Sequence, residues 1–301
     1  MKNLLSLACA LFPARFSALV PALLFGGACT GAHAQTPANN PMPDGSRDLY
    51  LGLGLVSQNA YQGGAERRLR ALPLVQLEWS NGVFIAGMSA GMHLSQRPGL
   101  EYGPLLALQV KRSGDGNGAS LGDVSSASAS EQALPGVLRR QGSGANALLG
   151  MDKIKARVQA GVFANYYLTP TLRLTNNVLY GAGNQRDGLL WNVALQHTAP
   201  DLTAHHRITY SAGVTLVNRR HNASFFGVTD SEALASGHGA YAPRGGVQDV
   251  NLGARWNWAI SPDWIVTSGA RVTRLQGDAR HSPLVQRPTS FSMSSGLAYR
   301  F

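Results

Sequence analysis

Adjacent His205-His206 and the step His281-Ser282 are the first places to look for chemistry in this chain. Neighbouring residues of an extended strand point to opposite faces, so His205 and His206 cannot jointly grip one metal ion. His281 puts an imidazole base next to the Ser282 hydroxyl, the beginnings of ester hydrolysis. Such a site is defined by a geometry that adjacency alone does not supply. Of the eight histidines, His33 falls in the leader described below, and the others show no H-E-x-x-H spacing. No G-x-S-x-G elbow and no paired-carboxylate motif occurs either. Both cysteines, Cys9 and Cys29, also fall in the leader. The rest of the chain therefore has no disulfide framework, no thiolate nucleophile and no Cys-based zinc site. No catalytic, cofactor-binding or metal-binding residue and no cofactor is therefore expected from these residues.

Basic residues are the remaining candidates. Lys155, Arg157, Arg255 and Arg271 fall on strand faces expected to point inward, where they would make a cationic lumen or pair with Asp and Glu. The clusters at 66–70 (ERRLR), 138–140 (LRR) and 218–220 (NRR) are expected in connections, either as solvated charge or facing lipopolysaccharide phosphates and acidic cell-wall polymers. An exported basic protein rarely meets nucleic acid, so none is expected as a partner.

Export is read from the start of the chain. Lys2 and Arg15 precede a 13-residue apolar stretch, Phe16 to Ala28, followed by Ala32 and Ala34 in the A-x-A spacing of a signal-peptidase site. Cleavage is expected between Ala34 and Gln35, making residues 1–34 a signal peptide. The stretch is short of the ~20 apolar residues of an uncleaved anchor, and Gly26 stands where a lipobox ending at Cys29 wants leucine. Cleavage removes Lys2 and Arg15 and no acid, taking the net charge from +10 to +8. Residues 35–48, rich in proline and polar side chains, read as a flexible periplasmic lead-in.

The elements that must position any site have a period of two. In the run from Ile154 to Leu168, Ile154, Ala156, Val158, Ala160, Val162, Ala164, Tyr166 and Leu168 share one face. Lys155, Arg157, Gln159, Gly161, Phe163, Asn165 and Tyr167 share the other. A strand sorts residues this way; a helix scatters them. The same pattern covers 102–110, 208–216, 250–260, 264–272 and 291–301, with Leu49, Leu51, Leu53 and Leu55 at the start. Weaker versions occupy 69–79, 83–93, 172–180 and 189–197. Runs of about nine to twelve residues match tilted strands crossing hydrocarbon, and the charged fraction of 14% is low beside ~25% in soluble domains. Only helices or closed barrels satisfy every backbone group in lipid. The expected fold is all-β: a transmembrane antiparallel β-barrel over residues 49–301, in the outer membrane.

Eleven strands are legible, and single-chain bacterial barrels have an even number. About twelve are expected, ten being the alternative, with 131–141 and 223–228 as hiding places for the missing one. With the carboxyl terminus in the periplasm, the turns ISPD (260–263) and LTPT (168–171) are periplasmic, while 113–151, 219–246 and 276–288 face outward. Residues 113–130 are of low complexity and expected to be mobile. Thr229 and Glu232 have capping-box spacing and Gly237 can stop a helix, which predicts a short helix between them. Trp256, Trp258 and Trp264 flank one turn and Tyr166 and Tyr167 another, as interfacial girdles do. Phe291, Met293, Leu297 and Tyr299 would face lipid on the closing strand. That alternation, ending on Tyr299 and Phe301, resembles the signal read by the barrel assembly machinery.

Several stretches resemble the MltA-interacting protein family, the MipA/OmpV outer-membrane proteins. They are YQGGAERRLRALPLVQLEW (61–79), ARVQAGVFANYYLTPTLRL (156–174), FFGVTDSEALASGHGAY (225–241), VNLGARWNWAISPDWIVTSGARVTRLQGDARHSPLV (250–285) and SGLAYRF (295–301). The most specific are FFGVT…A…SG…AY and L-x-GDA-x-x-SPLV; the sequence departs at 113–150. The resemblance implies a non-enzymatic outer-membrane scaffold that links a murein synthase and a lytic transglycosylase. Other members are described in connection with adhesion or antibiotic uptake; the alternative, a narrow permeation channel for small solutes, rests on the inward-facing Arg and Lys residues. An adhesin or a lipid-modifying enzyme centred on His281 and Ser282 comes third.

Overall fold

The computed structural model describes residues 47–95, 99–113, 116–117, 147–199 and 205–301. The expected leader, its cleavage site at Ala34 and Gln35, and the basic cluster at 138–140 lie outside these residues, as does most of the low-complexity stretch. Among the described residues, twelve antiparallel strands close into one barrel. They are β1 (Arg47–Asn59), β2 (Arg67–Trp79), β3 (Val83–Ala86), β4 (Ser89–Met92), β5 (Leu100–Gln109) and β6 (Arg157–Thr169). Then follow β7 (Leu172–Ala182), β8 (Gly188–Thr198), β9 (His206–Val217), β10 (Gly246–Ala259), β11 (Trp264–Leu275) and β12 (Thr289–Arg300). No helix of the described residues is long and apolar enough to cross a membrane.

The twelfth strand lay in neither expected place. Residues 223–226 end a helix, α1 (Arg219–Phe226), and 131–141 is outside the described residues. Instead 83–93 is a hairpin of two four-residue strands, β3 and β4, turning at Gly87-Met88. Gly87, at φ 56°, takes the first central position of a two-residue loop, where a II′ turn requires glycine. Every other strand has ten to fourteen residues, so the wall is lower at this hairpin.

Alternation sets what faces lipid. Leu53, Leu55, Val158, Val162, Leu252, Met293 and Leu297 are exposed on the outer face. Their neighbours Gly54, Val56, Gln159, Phe163, Gly296 and Ala298 are buried inside. Two expectations about the run starting at Ile154 need correction. The strand begins at Arg157, so Ile154 is buried at 1% exposure instead of meeting lipid. It bridges Arg112 in the connection after β5. Lys155 likewise precedes the strand and is exposed, not lumenal.

One side of the interior is filled by Phe84, Ala86, Leu105, Ala107, Phe163 and Leu179, with Leu190 against them. Across from it, β9 to β12 present small inward residues, among them Ser211, Gly253, Gly269, Ser292 and Ser294. The barrel closes where β1 meets β12 in a register running from Tyr50↔Arg300 to Ser57↔Met293.

Candidate functional site: the capped mouth and its lumenal network

The expected short helix forms as α2 (Asp230–Ser236). Its Thr229 hydroxyl accepts from Glu232 N, the Glu232 carboxylate accepts from Thr229 N, and Gly237 stops it at φ 76°. The preceding α1 is capped by Asn218, whose Oδ1 accepts from His221 N at 2.8 Å and from Leu189 N at 3.0 Å. Asn218 Nδ2 donates to Asp187 O at 2.8 Å. One side chain thus fixes the helix start to the turn between β7 and β8.

Four connections meet across this end of the barrel: 60–66, the segments flanking the undescribed 118–146, 218–245 and 276–288. Ala60, Tyr61, Leu148, Met151, Val228 and Leu284 form a shared buried cluster. Each fully buried leucine in it contributes roughly 1.5–3 kcal/mol. The Tyr61 hydroxyl donates to Leu284 O at 3.0 Å, and burial pushes its pKa up to about 12. Tyr241 OH donates to Asp278 O at 2.8 Å, and Ala65 N donates to Gln286 Oε1 at 2.9 Å.

At the centre, Arg112 is 4% exposed and donates through Nη1 to Phe225 O at 2.6 Å. Burial lowers its pKa to about 10, against the opposing pull of Glu232 and Asp152. Burial would raise the Glu232 carboxyl. The backbone N–H groups of Thr229 and Asp152, the Thr229 hydroxyl and the Arg112 charge outweigh it and hold that carboxyl below the usual range. Glu232 accepts from Asp152 N at 3.0 Å, so α2 is tied to the connection after β5. His221 is buried on α1, stacks on Phe225 at 4.7 Å, and burial lowers its pKa to about 4.

Beneath the cap, Asp249 of β10 is 4% exposed yet fully supplied with donors. Oδ2 accepts from Gln62 Nε2 at 3.2 Å and Gln248 Nε2 at 3.4 Å. Oδ1 accepts from Asn251 Nδ2 at 3.3 Å and from the Thr215 hydroxyl at 3.1 Å, which also reaches Asn192 Oδ1. Asn192 continues to Asn177 Oδ1 at 3.0 Å, and Arg271 Nη1 donates to Asn251 Oδ1 at 3.3 Å. This chain of polar groups runs along the wall from β7 to β11, and Gln62 joins it to the cap. Nearer the other end, Glu101 accepts from Asn165 Nδ2 at 3.1 Å and Tyr167 OH at 2.7 Å, beside Arg173 bound to Gln196 Oε1 at 2.7 Å.

The sequence-marked residues distribute as follows. Ser282 is buried; its hydroxyl donates to Phe226 O at 2.6 Å and accepts from Leu284 N, so it holds the cap together. His281 beside it is exposed. His206 lies outside the barrel, stacked on Trp256 and Trp258 and accepting from Trp256 Nε1 at 3.1 Å. Arg157, Arg255 and Arg271 lie on inward faces. In the 66–70 cluster, Arg68 pairs with Glu66 at 3.1 Å, and in 218–220 Arg220 pairs with Asp187 at 3.5 Å. Tyr299 packs edge-on between Trp264 and Phe301, and Phe301 N donates to Leu49 O at 2.9 Å. Among the described residues no group of three or more His, Cys, Asp or Glu could hold a metal ion. Asp249, Arg112 and His221 were not singled out by sequence. A lone aspartate at the head of an otherwise alternating strand is the one signal that could have found Asp249.

Comparison with known proteins gives the same picture. A family model described as MltA-interacting protein MipA matches residues 51–301. Outer membrane protein OmpV of Vibrio cholerae serotype O1 is 32% identical over 160 residues, covering 52% of this chain and 59% of that protein. The MltA-interacting protein of Escherichia coli strain K12 is 29% identical over 178 residues, 56% of this chain and 66% of that protein. The chain thus spans less than two thirds of the length of these relatives. Among solved structures the KdgM porin, 9% identical, aligns over 84% of this chain and 99% of its own with a TM-score of 0.41. With the family model matched from the first strand to the last residue, the chain belongs to the MltA-interacting protein MipA family of outer-membrane β-barrels.

Proposed function

We propose that this barrel is a non-enzymatic scaffold of the outer membrane, one that holds a murein synthase and a lytic transglycosylase near each other. The observation that supports this reading is the interlocked cap: four connections, a buried apolar cluster and the Asp249 network make one end a fixed body. Such a construction suits a platform better than a conduit. The family's name and that of its Escherichia coli relative, an MltA-interacting protein, point the same way. The docking surface on this reading is the opposite rim, where Arg300 Nε donates to Asp48 Oδ1 at 2.6 Å, together with the lead-in that precedes β1. The test is capture of periplasmic enzymes on purified barrel. Retention of a murein synthase or hydrolase above an unrelated barrel supports the reading, and retention equal to that control overturns it.

The second reading, a narrow permeation channel, rests on the small inward residues of β9 to β12 beside Arg255 and Arg271. Planar-bilayer recording decides it: ion-sized steps are expected of a channel, and a silent membrane removes the idea.

A further inference from the structure

The half-height hairpin leaves a notch in the barrel wall. Gly87 N donates to Val75 O at 2.9 Å, and on the far side Leu108 N donates to Met88 O at 3.0 Å. These two bonds mark the hairpin tip. Between it and the capped end, β2 runs on from Leu74 to Arg67, paired with β1 along its whole length. Among the described residues no strand pairs with the opposite edge of that stretch. Backbone groups alternate sides along a strand, so the Val75 bond puts the main-chain N–H and C=O of Leu69 and Ala71, and the C=O of Pro73, into the notch.

This edge lies at membrane height. In the β1–β2 register Pro73 faces Leu53 and Ala71 faces Leu55, and those leucines are 71% and 52% exposed on the lipid side. Hydrocarbon cannot satisfy a backbone N–H, and leaving one bare there is strongly unfavourable. Something polar must therefore reach Leu69 and Ala71. An added strand is a poor candidate, because Pro73 lacks the donor its ladder would need and proline is a standard guard of sheet edges. The charges say more. Arg68 and Arg70 point inward behind the notch and Arg67 sits at its top, with Glu66 already engaged by Arg68. The half-buried Arg70 has no carboxylate partner among the described residues. The mouth of the notch is apolar: Leu69 and Pro73 are exposed on one side, and half-buried Leu108 stands on the other. Two backbone donors and a guanidinium suit a phosphate, as arginine binds phosphate with its planar fork. The apolar lips suit an acyl chain.

We propose that the notch is a lateral binding site for a phosphate-bearing membrane lipid. Its headgroup accepts from Leu69 N, Ala71 N and Arg70, and its chain lies along Leu69, Pro73 and Leu108. The carbonyls of Leu69, Ala71 and Pro73 take headgroup hydroxyls or water. This goes beyond the scaffold reading and does not depend on it.

The experiment is residue-resolved amide hydrogen exchange on the full chain in dodecyl maltoside micelles, with dodecyl phosphate added as probe. Without the probe, Leu69 and Ala71 exchange at least a hundredfold faster than Leu72 and Leu74, whose amides are paired to β1. Dodecyl phosphate slows Leu69 and Ala71 tenfold or more, saturably, and Arg70→Gln weakens the effect about tenfold while the unheated barrel keeps its compact migration in SDS. Protected Leu69 and Ala71 in the absence of probe overturn the proposal, because the edge is then already paired. No slowing by dodecyl phosphate overturns it too, as does equal slowing by inorganic phosphate, which makes the site a free-anion site. Should Arg70→Gln fail to fold, exchange in the unmodified chain still decides.

Discussion

His221 gives the cap a built-in sensitivity to acid that can be worked out in numbers. Its imidazole is buried on α1 against Phe225, and burial moves its pKa from 6.5 to about 4. The sign follows from which state takes the proton first. Above pH 6.5 the ring is neutral whether the cap is open or closed, so it costs nothing. As pH falls below 6.5 the opened cap protonates and the closed cap does not, and stability drains away until both are charged near pH 4. At ~1.4 kcal/mol per pH unit, the whole interval is worth roughly 3 kcal/mol and the step from pH 6.5, where the opened ring is already half protonated, to pH 4.5 about 2 kcal/mol. That corresponds to a roughly thirty- to fortyfold rise in the open population between those two pH values. The assay is amide protection of residues 221–226 at pH 6.5 and 4.5, corrected for the intrinsic pH dependence of exchange. Wild-type protection should drop by that factor, and His221→Phe, which keeps the ring stack, should hold it constant. Equal pH slopes in the two proteins would refute the reasoning.

Glu232→Gln removes the charge that collects Thr229 N, the Thr229 hydroxyl and Asp152 N beside buried Arg112. At about 1.5–3 kcal/mol for a charge-assisted bond, trypsin should nick the connection at Lys153 or Lys155 at least tenfold faster; an unchanged digestion rate contradicts this. Because the Glu232 carboxyl is held below its ordinary range, its own contribution is present above pH ~4.5 and is lost only as pH falls further, so its window lies below that of His221. Gly161 points inward, and a Cβ there would sit against the Val178 carbonyl. Gly161→Val should abolish the SDS-resistant unheated form, and retention of that form counts against the tight register of β6 and β7. Phe301 touches Tyr299 at 4.8 Å and is 67% exposed, so Phe301→Gly should leave the melting temperature nearly unchanged. It should still cut the assembled fraction severalfold, and normal yield in the membrane removes its role as an assembly signal.

The parts of this molecule that can be read from sequence are those written within a few residues. Alternation exposes the long strands because apolar and small residues take opposite faces over ten or more positions. The α2 capping box is legible because Thr229 and Glu232 are three residues apart. The β3–β4 hairpin was hidden because Ala86, Ser89, Ala90 and Gly91 are too small to show a side, so the change of phase at Gly87-Met88 left no mark. Gly-Met in a two-residue gap was the available clue. The network was illegible for another reason. Gln62 and Asp249 are 187 residues apart and Arg112 and Phe225 are 113 apart, distances that only barrel closure collapses. Ser282 drew attention as a nucleophile because sequence shows a hydroxyl and not its burial.

The seam between β1 and β12 has a kinetic consequence. Asp48 and Arg300, which face each other across it, are separated by 252 positions, so the first strand must wait for the last before either edge is satisfied. A ring of this kind has no stable half-built form: until the final strand arrives, two long sticky margins stay bare in water, each a template for the wrong neighbour. Pairings of such sequence separation form slowly. The chain is therefore most vulnerable to aggregation in transit, and cellular factors that shield open margins will govern its yield more than the thermodynamic stability of the finished ring.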